Sequence, residues 1–246
     1  AGGCATGTYY RAGEGLVGSW FALVAYATTA AASKTGLLSG VTNWVKGLWV
    51  TDLTTIPATI GLPSWGGVVI LAGVTGLIVH RFIVPERSRP AQIQLPAQRT
   101  GLAHLLLEKQ WNPLATGFLV GVVAVIAWPT SWASGRQDGL GITTPSSNLV
   151  NLIVTGDVKR LDWGVLLVLG ILLGSYLAAK ASGEFRVRVP SAQVIQRSIS
   201  GGVLMGIGAA WAGGCSIGNA LVQTSLLSWQ GWIALVFQVL GVGVAA

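Results

Sequence analysis

Charge is what this sequence has least of. Asp, Glu, Lys and Arg make up 9% of its 246 residues, where a soluble domain carries about a quarter. Histidine and cysteine are nearly as scarce, at two residues each. No C-x-x-C pair occurs, and His80 and His104 lie in or beside a basic segment, away from both cysteines. A zinc or iron–sulfur site therefore lacks its ligands, and a Cys–His catalytic pair lacks its base. No metal and no cofactor are expected, and no proton relay or sodium site stands out.

What is abundant is apolar. Hydrophobic residues reach 52%, with 35 glycines and 11 tryptophans, a combination common in membrane helices and their interfacial belts. The reading is an all-α polytopic membrane protein whose first partner is the lipid bilayer. The net charge of +7 raises the question of a nucleic-acid surface, but the bases cluster in "HRFIVPERSRPAQIQLPAQR" and "KASGEFRVRVPSAQVIQR". Basic loops beside apolar spans are the positive-inside signature, so no nucleic acid is expected and the loops around 81–109 and 180–197 are placed in the cytoplasm.

Apolar length sets the candidate spans at about 20 residues each. They are Leu16–Ser33, Gly66–Val84, Trp111–Trp128, Trp163–Ala181 and Trp229 to the end. Between them, Leu37–Pro57 is mixed in character and predicts an interfacial or re-entrant piece. "GLAHLLLEKQ" reads as a short polar helix, and "PSSNLVNLIVTG" as a short helix begun at Pro145–Ser146 and stopped by Gly156. Ile199–Ala212 is a half-span, followed by a short helix over Ile217–Leu227.

Both cysteines sit in one local pattern, "GGCATG" at Gly2, Gly3, Cys4, Thr6 and Gly7, and "GGCSIG" at Gly213, Gly214, Cys215, Ser216 and Gly218. A tryptophan opening W-x-A-L-V follows each, Trp20 16 residues after Cys4 and Trp232 17 after Cys215. The pair of matches predicts a duplicated unit, with 1–110 the remainder of a first repeat and 111–246 the second, in one membrane-embedded domain. Transporters are often built this way, with broken helices meeting near the midplane. The chain begins inside the first motif at Ala1, and is expected to lack the leading half of that repeat.

Glycines flanking a cysteine let a helix break, and broken backbone at membrane depth must be buried or line a wet cavity. A helix starting after the break turns free N–H groups and a positive dipole end toward that cavity, which favours an anion. Helix-packing glycines with a small core cysteine remain the plainer alternative, and a Cys4–Cys215 disulfide is a further one. Asn219, next to the second motif, joins the candidate set. Arg11 and Glu14 are either an i,i+3 pair or vestibule charges. Thr144, Ser146 and Asn148 are either substrate contacts or ordinary helix caps.

"GGCATGTYYRAGEG", "GLGITTPSSNLVNLIVTGD", "WGVLLVLGILLGSYLAAKASGEFRVRVP" and "GGCSIGN" together resemble the YeeE/YedE family of sulfur-compound transporters. The resemblance covers nearly the whole chain. It implies a non-enzymatic inner-membrane importer of thiosulfate or a similar sulfur anion, built as an inverted-repeat hourglass. It also implies that Cys4 and Cys215 hydrogen-bond the passing substrate through their thiols. A further cysteine of the family's N-terminal loop has no counterpart here. Other readings stay open: another sulfur or selenium species, a membrane thiol enzyme or sulfur carrier forming a covalent persulfide, a structural subunit needing a partner, and an accessory sulfur-carrier protein.

Overall fold

The computed structural model describes residues 3–48, 50–83, 104 and 111–245. Gly2, the Pro85–Arg99 loop and the "GLAHLLLEKQ" helix apart from His104 lie outside them. The described residues form helices joined by turns, in the order α1 (Ala5–Gly13), α2 (Val17–Lys34), α3 (Ser39–Gly47), α4 (Ile56–Ile60) and α5 (Ser64–Ile78, prolonged by a π turn over Val79–Ile83). There follow α6 (Pro113–Ala133), α7 (Thr143–Thr155), α8 (Trp163–Ser182) and α9 (Ala192–Trp211), then a π-helical segment Ile217–Gln223 and α10 (Trp229–Ala245). This is an all-α membrane protein.

Among the described residues three stretches are long and apolar enough to cross a bilayer, Ser64–Arg81, Pro113–Ala133 and Trp163–Ser182, and most of their side chains face outward. That is the arrangement lipid requires, since hydrocarbon solvates apolar side chains as well as a protein core does. α2 differs. It buries Ala22, Leu23, Tyr26, Ala27, Ala30 and Ala31 along with Ser19 and Ser33. Its small residues form the face packed against protein, while Trp20, Phe21 and Val24 form its exposed face.

The central contact is between α2 and α9, which run parallel. Ser198, Gly202, Gly206 and Ala210 repeat every fourth residue on α9 and are buried, facing Gly18, Ala22, Tyr26 and Ala30 of α2. A Cβ on Gly202 would strike the Ala22 carbonyl oxygen, and one on Gly206 would lie 2.8 Å from the Tyr26 carbonyl oxygen. Small residues at this spacing are what let two backbones approach in a membrane. α1 then packs on α2 and α8, and α7 packs on the same two helices.

The two cysteine motifs continue into matching local geometry. Each is followed by a helical run closed by a residue of positive φ, Gly15 (99°) and Leu227 (55°). Each closing turn pairs with a distant segment. Arg188 N–H donates to Gly15 O (3.1 Å) and Val17 N–H to Arg188 O (3.1 Å), while Ile56 N–H donates to Leu227 O (2.9 Å) and Trp229 N–H to Thr54 O (3.4 Å). The first bridge is parallel and the second antiparallel. The run after Cys4 is α-helical and that after Cys215 is largely π-helical. A π turn absorbs one extra residue in a helix, which accounts for the tryptophan falling one position later in the second motif.

Three sequence expectations need correction. The half-span at Ile199–Ala212 is a full helix of 20 residues starting at Ala192. Its polar first turns escape a hydropathy reading, and the loop at 180–197 shrinks to 183–191. The third span does not stop before Pro129, because α6 continues to Ala133 with that proline inside. Next to that proline, Thr130 Oγ1 donates to the carbonyl of Ile126 at 2.8 Å. The short helix begins at Thr143, two residues before Pro145.

Gly202→Ala should destabilise the folded protein by about 1–3 kcal/mol through overpacking. Gly170→Ala, where nothing lies within 4 Å of the new Cβ, should be neutral or slightly stabilising. Thermal unfolding of the two variants in detergent checks the contrast.

Candidate functional site

α9 ends at Trp211, and Gly213 turns the chain with a φ of 76° that a side chain would resist. The broken backbone is held by one buried amide. Asn219 Nδ2 donates to the carbonyls of Ala212 (3.1 Å) and Gly214 (3.0 Å). Gln230 Nε2, from α10, donates to Ala212 O (3.0 Å) and Asn219 Oδ1 (3.3 Å). Helical bonding resumes with Asn219 N–H donating to Cys215 O at 2.8 Å.

The first motif does the same with less. The Cys4 carbonyl accepts from Thr8 N–H at 2.9 Å and from Thr8 Oγ1 at 3.1 Å, so Cys4 caps α1 through its backbone and leaves its thiol free. Thr8 thus stands four residues after its cysteine, as Asn219 does. Both cysteines are free; Cys4 is exposed and Cys215 buried. The disulfide alternative is therefore not realised. Thr6 and Ser216 are half-buried in the turns that follow the cysteines, and a Cβ on Gly7 would lie 3.9 Å from Cys4 Sγ.

A third helix start joins them. Tyr9 and Ser146 share a buried hydroxyl pair at 2.8 Å, with Ser146 Oγ donating to Ile142 O at 2.6 Å. Tyr26 donates to Thr143 Oγ1 at 2.9 Å, and Lys34 Nζ donates to Thr144 Oγ1. Ala5 at the start of α1, Ile142 at the start of α7, and Cys215 belong to one buried cluster with Tyr9 and Tyr26. None of the three helical starts has a side-chain cap. First-turn N–H groups have no acceptor within their own helix, so three positive helix ends lie around this cluster.

Gly213, Gly214 and Cys215 also separate two cavities, lining both. One of about 850 Å³ is bounded further by Met205, Trp211, Gln230 and Phe237. The other, about 50 Å³, is bounded by Arg136, Thr143, Thr144 and Asn219. Gly218 borders the small cavity with open space where a Cβ would be.

Other sequence candidates fall elsewhere. Arg11 lies over the Tyr10 ring at 5.8 Å, near Gly3, and Glu14 lines a separate cavity with Glu184, Arg186 and Arg188. Asn148 Nδ2 donates to Asp162 Oδ2 at 3.0 Å; Asp162 Oδ1 in turn accepts from Val165 N–H at the start of α8. That makes Asn148 a fastening between α7 and α8. Sequence reasoning passed over Tyr9, Tyr26, Lys34 and Arg136; for Tyr26 and Lys34 the available signal is a polar group in or at the end of an apolar stretch.

A family model described as sulphur transport matches residues 1–244. The chain belongs to the sulphur-transport family. It is 50% identical to the thiosulfate transporter TsuA of Escherichia coli K12 over 246 residues, covering 100% of this chain and 69% of that protein. It is 34% identical to the thiosulfate transporter TsuA of Spirochaeta thermophila over 255 residues, covering 98% of this chain and 70% of that one. As a sulphur-transport family member it is a multi-pass membrane protein.

Asn219→Ala would leave the Ala212 and Gly214 carbonyls without this donor, at a cost of about 1–3 kcal/mol. Alkylation by a maleimide should label Cys4 faster than Cys215 in the parent protein. In Asn219→Ala the Cys215 rate should rise severalfold, read by mass spectrometry of the two cysteine peptides.

Proposed function

We propose that the protein takes up thiosulfate, or a closely similar sulfur anion, across the bacterial inner membrane along a path that passes Cys4 and Cys215. The observation carrying this reading is the Gly213–Cys215 stretch, which separates two cavities and lies against three uncapped helix starts. The names of the relatives favour thiosulfate over other sulfur species.

The chemistry suits a soft-ended dianion. Its oxygens match N–H groups at helix starts, and its terminal sulfur accepts weak S–H donation. Both cysteines act as neutral thiols, because a thiolate would repel the dianion. Weak serial contacts let an ion enter and also leave. The matched motifs at Cys4 and Cys215 are equivalent corners of an inverted repeat, 1–110 and 111–246, in an hourglass fold with the basic loops in the cytoplasm.

Growth on thiosulfate as sole sulfur source tests the roles of the thiols. Cys215→Ala and Cys4→Ala should each abolish growth while protein levels hold. Parent-like growth of both variants would overturn the reading. A stable persulfide mass on either cysteine after exposure to thiosulfate would favour covalent sulfur carriage instead.

A further inference from the structure

The small cavity beside Cys215 has a feature the thiol chemistry does not use. Arg136 follows α6, and its side chain is only 12% exposed. Its Nη1 is buried with no hydrogen-bond partner. Nη2 lies 3.7 Å from the Asp138 carboxylate, which is itself 62% exposed and open to solvent. That distant, solvent-screened contact does not neutralise a buried guanidinium.

The space around the guanidinium is cleared for it. A Cβ on Gly164 would lie 2.6 Å from Nη1, and one on Gly141 3.7 Å from Nη2. Lys34 adds a second cation. From the last turn of α2 its ammonium reaches Thr144, a residue of the same cavity wall. A buried guanidinium lining the cavity and an ammonium bonded to its wall thus stand near Cys215, with the exposed Asp138 the acid on the same wall. Burying a charge with an open donor is costly unless something arrives to complete it. In a membrane protein, an ionisable group at an interior cavity marks a substrate path by default.

We infer that Arg136 and Lys34 form an oxyanion-receiving station on the small cavity. They hold the oxygens of a dianionic substrate while its sulfur end faces the Cys215 thiol. The inference rests on the proposed path past Cys215 and adds what that reading leaves open: how a weak thiol site attracts and orients a dianion. Arg136, on the cavity wall, supplies a guanidinium whose Nη1 is unpartnered, and Lys34 supplies charge from the α2 side. Hydrogen bonds to charged groups are the stronger class, so this station supplies affinity and selects for charge, and the thiol selects for sulfur.

Uptake of labelled thiosulfate into proteoliposomes carrying the full protein tests this, with KM and maximal rate measured separately. Arg136→Gln should raise KM about tenfold or more with thermal stability near the parent's. Arg136→Lys should restore part of the loss, and Lys34→Gln should raise KM in the same direction. A KM within twofold of the parent for folded Arg136→Gln would overturn the inference. If Arg136→Gln does not fold, Lys34→Gln decides by the same criterion. Cys215→Ala, run alongside, separates the two levels. Abolished uptake there with an unchanged KM in the Arg136 and Lys34 variants sinks the station alone. Normal uptake in Cys215→Ala removes the path on which it rests.

Discussion

The carboxamide of Asn219 is the interaction on which the rest depends. A helix that stops inside a membrane leaves carbonyls with no water to turn to, and each must find a donor within the protein. At the end of α9 those carbonyls belong to Ala212 and Gly214, and Asn219 serves both from the next segment while Gln230 braces it from α10. With the bend satisfied in this way, Gly213 can hold its left-handed φ and Cys215 can stand between two cavities. At the other end of the chain Thr8 needs only one hydroxyl to fix Cys4. The difference follows burial: Cys215 is enclosed and Cys4 is open.

Placement of that bend is a matter of close packing. α9 reaches the centre because Gly202 and Gly206 let it lie against the backbone of α2. Residues this small lower the hydropathy of both helices, so that α2, although read from the sequence as a span over Leu16–Ser33, falls with α9 outside the three described stretches that qualify. In this bundle the most apolar helices are the most exposed, while α2 turns one face to protein and holds Ser19, Tyr26 and Ser33 on it. Tyr9 and Tyr26 then tie α1 and α2 to the start of α7 through hydroxyl bonds, fixing the third helix start relative to the cysteine motifs.

Much of this was legible in the sequence, and the exceptions have physical reasons. Apolar runs located α5, α6 and α8, and the paired glycine–cysteine motifs pointed to a bend that glycine permits. Gly156 was visible as a stop because its left-handed φ is a glycine signature. The true length of α9 was hidden because its first turns are polar. The π segment showed only as a one-residue offset between two tryptophans. Asn148 was a candidate as the amide of the Gly141–Asn148 stretch, and its amide is bonded to Asp162, the N-cap of α8, a partner that only the fold brings near. Arg136 was invisible for a similar reason. It sits in a glycine-rich polar stretch that reads as loop, and only the fold brings its guanidinium under Gly164 and beside the cavity of a cysteine 79 residues away.

On the proposed reading, the site divides one recognition problem between two kinds of group. A thiol discriminates sulfur from oxygen weakly and carries no charge, so thiols alone would neither concentrate a dianion nor reject neutral sulfur compounds. A guanidinium does both, but one paired with a buried carboxylate would already be satisfied and would have little left for a substrate. The geometry of Arg136 avoids this, since its acid partner Asp138 stands in solvent and its inner nitrogen is left open. Grip at the station has a limit, set by the need for release. Lys34 spends one of its donors on Thr144, and the cysteine beyond offers only a weak bond. A strong first contact followed by a weak second one draws an ion inward only while the first remains reversible, and an exposed counter-ion within reach of the guanidinium provides that competition.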